Sequence, residues 1–102
     1  MADPNLGEFI SLDEAKMYVS EFKRRNPDAI RSYSASGEKI QQILAQENCI
    51  GLRIYNGYDE VNKHQNIVIL GIDANYADLD QGLILDKAGF CPPMCGTGVL
   101  MQ

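Results

Sequence analysis

Apolar side chains recur along this chain at two periods, and the change from one to the other divides it. The first ten residues follow neither, because Pro4, Asn5 and Gly7 interrupt any pattern, so residues 1–10 read as a loose leader. From Ser11 the period is helical. Ala15, Tyr18, Val19 and Phe22 stand at i, i+3, i+4 and i+7 and line one face. Ser11 with Glu14 three residues on makes a capping box, and Ile10 is placed to staple onto Ala15. Asn26-Pro27 stops the pattern, which predicts a helix over 12–25. A second stripe, Ile40, Ile43 and Leu44, predicts a shorter helix over 37–46, capped by Ser34 or Ser36. The stretch 29–33 between them fits a short strand or a turn.

At Cys49 the period becomes two. In "CIGLRIYN", Ile50, Leu52 and Ile54 alternate with Cys49, Gly51, Arg53 and Tyr55, as in a strand. "NIVILGID" is apolar on both sides, as buried strands are, and the polar "GYDEVNKHQ" between the two makes a hairpin. "GLILD", residues 82–86, adds a short third strand. A turn centred on Val61 sets Asn56 against Asn66 and Gly51 against Gly71. Ile50, Leu52 and Ile54 then share an apolar face with Val68, Leu70 and Ile72, and the helices belong on it. On this register Phe22, Ile43, Leu52 and Leu70 form one core. The other face holds Arg53, Tyr55, Ile67 and Ile69 around a Gly51/Gly71 trough where another backbone could approach. The fold expected is α+β: two N-terminal helices packed on one face of a small antiparallel sheet, then an irregular C-terminal segment over 87–102. All of it forms a single domain, 1–102, as suits 102 residues that are 45% hydrophobic and 23% charged.

The motifs "CIGLRIYNG", "GIDAN", "LILD" and "CPPMCG" together resemble a group of small uncharacterised bacterial proteins with a Cys-Pro-Pro-x-Cys-Gly ending. The resemblance runs from Cys49 onward. It implies no activity and no catalytic residue.

Charge narrows the functions. A net charge of −5 repels phosphate backbones, so nucleic acid is not an expected partner. The basic run Lys23–Arg25 falls at the end of the first helix, where cations complement the helix dipole. No apolar stretch approaches the ~20 residues of a membrane helix, and no basic region precedes an apolar run at the start. Three cysteines are an odd number for a secreted disulfide framework. The expected location is therefore the reducing cytoplasm.

Candidate chemistry is sparse. Cys91 and Cys95 have the spacing of half a zinc site, but the remaining ligands are Cys49 and His64. In the hairpin those two lie at opposite ends, roughly 25–30 Å apart at ~3.3 Å per residue. Asp73 or Asp86 would make an unusual structural site, so no metal and no cofactor is expected. As a calcium loop, "DANYADLD" from Asp73 meets Ala77 and Asp78 where a ligand and a glycine belong, and Ile84 where a glutamate belongs. A turn held by Asx hydrogen bonds is its plain reading. His64 is the single histidine, in a polar turn beside Lys63. No nucleophile elbow, phosphate loop or dinucleotide fingerprint occurs, so the reading leans away from an enzyme.

The ending "GFCPPMCG" raises a redox question. An extended polyproline run would separate the Cα atoms of Cys91 and Cys95 by about 12 Å, too far for a disulfide, whereas a turn would bring them together. Buried thiols beside a rigid Pro-Pro turn are the ordinary expectation. A dithiol using Cys91 and Cys95 is the alternative, and a bridge from Cys49 to one of the pair is another possibility. The leading expectation is a non-catalytic structural or protein-interaction module that self-associates or docks on a larger assembly. Its surface would comprise Gly51, Arg53, Tyr55, Ile67, Ile69 and Gly71 with Phe90, Pro92, Pro93 and Met94 of the tail. The apolar tail 90–102 would pack on that sheet or a neighbour's, giving at least a dimer.

Overall fold

The computed structural model describes residues 5–98 and 100. It is mixed α+β, with two helices and two antiparallel sheets. Helix α1 spans Leu12–Arg25 and α2 spans Gly37–Leu44. The strands are β1 (Ser32–Ser34), β2 (Gly51–Asp59), β3 (His64–Ile72), β4 (Ile84–Leu85) and β5 (Gly89–Cys91). The chain divides into two compact units. One is Gly7–Tyr33 with Gly89–Gln102, and the other is Ser34–Ala88 with Met1–Leu6. The expectations placed on residues 1–4 and on Val99, Met101 and Gln102 lie outside the described residues.

The larger unit is the sheet β2-β3-β4 with α2. Ser36 caps α2, its hydroxyl accepting from the Lys39 N–H, and Ile43 is the helix's one fully buried residue. Gln46 closes the helix end. Its Nε2 donates to the Ile43 carbonyl and its Oε1 accepts from the Leu83 N–H, which ties α2 to the approach to β4. Ile67, Ile69, Leu70 and Ile72 of β3 complete the buried apolar set of this unit.

The hairpin register differs from the expected one by a single residue. Gly51 lies opposite Ile72 and Leu52 opposite Gly71, and the pairing continues to Asp59 opposite His64. The loop is four residues, Glu60–Lys63, so its centre falls between Val61 and Asn62 rather than on Val61. The Asp59 side chain sets this length. Its Oδ1 accepts from the N–H groups of Val61 and Asn62, and its Oδ2 accepts from the Asn62 side chain. Lys63 takes a positive φ of 60° and its N–H returns to the Asp59 carbonyl.

A one-residue slip reverses which side chains share a face. Leu52 and Ile54 now stand with Ile67, Ile69 and Gly71, while Arg53 and Tyr55 stand with Val68, Leu70 and Ile72. Leu52 and Leu70 are therefore on opposite faces and do not join in one core. Nor does Phe22 close that core, because it is 45% exposed.

The smaller unit contains α1 and the two-stranded sheet of β1 and β5. The Ser11 hydroxyl accepts from the Glu14 N–H at 3.1 Å, as the capping box requires. The Glu14 carboxylate accepts instead from the Tyr18 hydroxyl, one turn on. At the other end Glu21 pairs with Arg24 and Arg25, and Asn26 closes the helix on the Phe22 carbonyl. Those two guanidiniums, Arg24 first, hold the Glu21 carboxyl below its ordinary pKa. The ambiguous stretch before Ser34 becomes β1, and the expected irregular tail begins as β5, with Arg31 N–H donating to the Cys91 carbonyl at 2.7 Å.

Candidate functional site

The cysteine pair is closed. Cys91 and Cys95 form a disulfide with their Cα atoms 4.6 Å apart, and Cys49 is the free thiol. The segment turns instead of extending, which corrects the polyproline geometry. Met94 N–H donates to the Phe90 carbonyl and Cys95 N–H to the Pro93 carbonyl. The Cys91-Pro92 and Pro92-Pro93 peptide bonds are both cis. Cys91 is wholly buried at the end of β5 and Cys95 is half-buried.

Cys49 and His64 lie at opposite ends of the hairpin. Cys49 precedes the Gly51–Ile72 pair, and His64 closes the turn beside Asp59. The Cys49 thiol donates to the Gly51 carbonyl, and His64 Nδ1 lies 2.7 Å from the Gln65 carbonyl. Among the described residues no three His, Cys, Asp or Glu side chains gather as a metal site would need. In the acidic stretch, Asp73 Oδ1 accepts from the N–H groups of Asn75 and Ala77, an Asx-type turn. Asp78 serves the sheet. Arg53 Nη1 donates to its Oδ1 at 2.6 Å and the Tyr55 hydroxyl donates to its Oδ2 at 2.5 Å. Tyr55 first, then Arg53, hold the Asp78 carboxyl below its ordinary range against an opposing desolvation effect. This three-residue clamp joins side chains 23 and 25 positions apart, and no local spacing in the sequence announces it.

The residues expected to form one interaction surface do not share a face. Gly51, Arg53 and Tyr55 lie on one side of the sheet, and Ile67, Ile69 and Gly71 on the other. The trough is absent because Gly71 is crowded by its own unit. A Cβ built there would meet the Cys49 sulfur at 2.7 Å, Leu79 Cδ1 at 3.2 Å and Gln46 Nε2 at 3.3 Å. Phe90, Pro92, Pro93 and Met94 fall in the smaller unit, where the prolines and Met94 are exposed.

Apolar surface is open at Ile54 and Ile84 of the sheet unit, and also on α1. Its stripe of Ala15, Tyr18, Val19 and Phe22 is extended by Leu12 one turn earlier, and no residue of the helix is buried. Leu12 is 56% exposed and Tyr18 58%. Tyr18, Val19 and Phe22 form one wall of an open cleft of about 340 Å³, with Ile30 and Arg31 from the chain leading into β1 and Tyr33 of β1 itself. The stripe is legible in the sequence, but the part of Arg31 is not. Its place depends on β1 pairing with β5, across some sixty residues of chain.

Among the described residues no helix is long and apolar enough to cross a membrane. No family model, curated protein or solved structure matches this chain.

Proposed function

We propose that the chain is a non-catalytic structural or protein-interaction module that self-associates through the open apolar face of α1. One observation carries the reading: a helix with a coherent apolar stripe and no buried residue. An amphipathic helix gains most of its stability by burying that stripe, and contiguous apolar patches left open mark interaction sites. The expected homo-oligomer is kept, and its surface moves from the sheet to the helix.

Sedimentation velocity of the full chain tests this. At about 100 μM, well above a micromolar dissociation constant, the particle should have at least twice the 11.3 kDa chain mass. Leu12→Glu places a charge on the stripe at a helix N-terminus that tolerates it. The variant should sediment as a monomer with an unchanged far-UV spectrum. A wild-type chain that remains monomeric at that concentration refutes self-association.

A second reading, a thiol-dependent redox protein using Cys91 and Cys95, is favoured by one fact: the two are bridged. Complete burial of Cys91 closes that sulfur to attack and leaves the half-buried Cys95 as the point of access. If native protein treated with mild reductant releases two thiols together and rapidly, the redox reading gains. Release only after unfolding makes the bridge a staple.

A further inference from the structure

The two sulfurs of the bridge differ in access. Cys91 is 0% exposed at the end of β5, and its carbonyl accepts from the Arg31 N–H just before β1. Cys95 is half-buried, and its chain neighbours Pro92–Met94 and Gly96–Gly98 are exposed. Gly96 takes a positive φ of 67°, and the space its side chain would fill is open. A small molecule approaching over this glycine meets Cys95 and finds Cys91 shut inside the unit. No acidic residue follows Asp86 in the sequence, and Lys87 is the one charged side chain of residues 87–102. The segment itself therefore does not repel an anionic thiolate.

We propose that Cys95 is the sulfur a small thiol attacks, and that Cys91 is the thiol that leaves and then closes the bridge again. The inference rests on the thiol-dependent reading above and assigns a role to each sulfur. The attacking thiol gives its proton to water, and its thiolate bonds to Cys95 Sγ as the bond between the cysteines breaks. The electron pair of that bond stays on Cys91 Sγ, which takes up a proton from water. The products are a mixed disulfide on Cys95 and a thiol on Cys91. One disulfide and one thiol enter and one of each leaves, so no further oxidant or reductant is needed. Backbone bonds hold the turn independently of the bridge, Met94 N–H donating to the Phe90 carbonyl and Cys95 N–H to the Pro93 carbonyl, each at 3.0 Å. Cys91 is thus kept beside Cys95 and attacks it in turn, expelling the small thiol. Because that step is intramolecular, it outruns a second external thiol at low thiol concentration.

Single-thiol chains test the assignment, with glutathione disulfide as the probe. Cys91→Ala and Cys95→Ala are each made in a Cys49→Ala chain, which leaves one thiol per protein. In native buffer the Cys95 thiol should form its mixed disulfide at least ~10-fold faster than the Cys91 thiol, because exchange rates follow access to the attacked or attacking sulfur. In urea the two rates should converge. If Cys91 reacts as fast as Cys95 while the wild-type bridge still opens in native protein, the assignment is wrong and the redox reading stands. If neither thiol reacts until urea unfolds the chain, the redox reading fails and the assignment with it. Should the variants misfold, the wild-type chain decides. It is exposed to reduced glutathione and quenched with acid, which stops exchange by protonating thiolates. Tandem mass spectrometry should then find the adduct on Cys95, and an adduct on Cys91, or none, overturns the assignment.

Discussion

Gly71→Ala is the sharpest test of the hairpin register. In the observed pairing Gly71 faces Leu52, and its absent side chain would project toward Cys49 Sγ, Leu79 and Gln46 at 2.7–3.3 Å. The 2.7 Å approach is closer than carbon and sulfur tolerate, so the thiol must move and give up its bond to the Gly51 carbonyl. Overpacking of this kind costs about 1–3 kcal/mol. Alanine also restricts the unfolded chain, which offsets roughly 0.5 kcal/mol. The net loss should lie between ~0.5 and ~2.5 kcal/mol, below the upper end because Leu79 and Gln46 meet the methyl with flexible tips. Urea unfolding without reductant gives the value, provided the slope is unchanged. The assay becomes decisive as a cycle with Cys49→Ala. Removing the sulfur should remove most of the penalty, leaving Gly71→Ala close to neutral in that background. A Gly71→Ala chain at least as stable as wild type would restore the Gly51/Gly71 register and its open trough. A penalty of equal size with and without Cys49 would show that the sulfur is not the obstacle.

Ile43→Ala should destabilise the sheet unit by about 2–5 kcal/mol, since Ile43 is only 2% exposed and is the one residue α2 fully buries; a loss under ~0.5 kcal/mol would separate α2 from that core. Asp78 has its carboxyl pKa lowered in the fold, so its contribution to stability is complete above the unfolded value and is lost as pH falls below ~4. Asp78→Asn should therefore flatten the acid limb of a urea-midpoint profile, and parallel wild-type and variant profiles from neutral pH down to ~2 would argue against the clamp. Denatured protein without reductant should titrate with one thiol per chain, that of Cys49, and three would deny the bridge. Reduction should cost about 2 kcal/mol, the chain-entropy value for so short a loop, read as a shift of the urea midpoint.

Local features were legible wherever the signal and the structure share a length scale. Helix α1 runs over the residues its period marks, and Ser11 caps it. Helix α2 begins after Ser36, one of the two caps expected, and ends two residues short because Gln46 turns back to the Ile43 carbonyl. The hairpin strands are longer than expected. Gly57–Asp59 and His64–Gln65 join the ladder although their composition reads as a turn, because the Asp59 side chain closes the loop in four residues. That same side chain set the register, and a turn centre cannot be located to half a residue from composition alone. Nothing local marks the pairing of β1 with β5 or the Asp78 clamp, since each joins segments far apart in sequence. The cysteine spacing was visible, but its closure depended on whether the prolines extend or turn.

The slip in register also relocates the candidate interface. An apolar second sheet face around a glycine trough required a cover, and the tail was its expected supplier. With Gly71 crowded by Cys49, Gln46 and Leu79, the trough closes, while Ile54 on the same face remains 58% exposed. A further open stripe lies on α1. Hydrophobic periodicity specifies which face of a helix is apolar and leaves its partner undefined. On α1, Leu12, Tyr18 and Phe22 leave their side of the stripe open, while Ala15 and Val19 are half-buried.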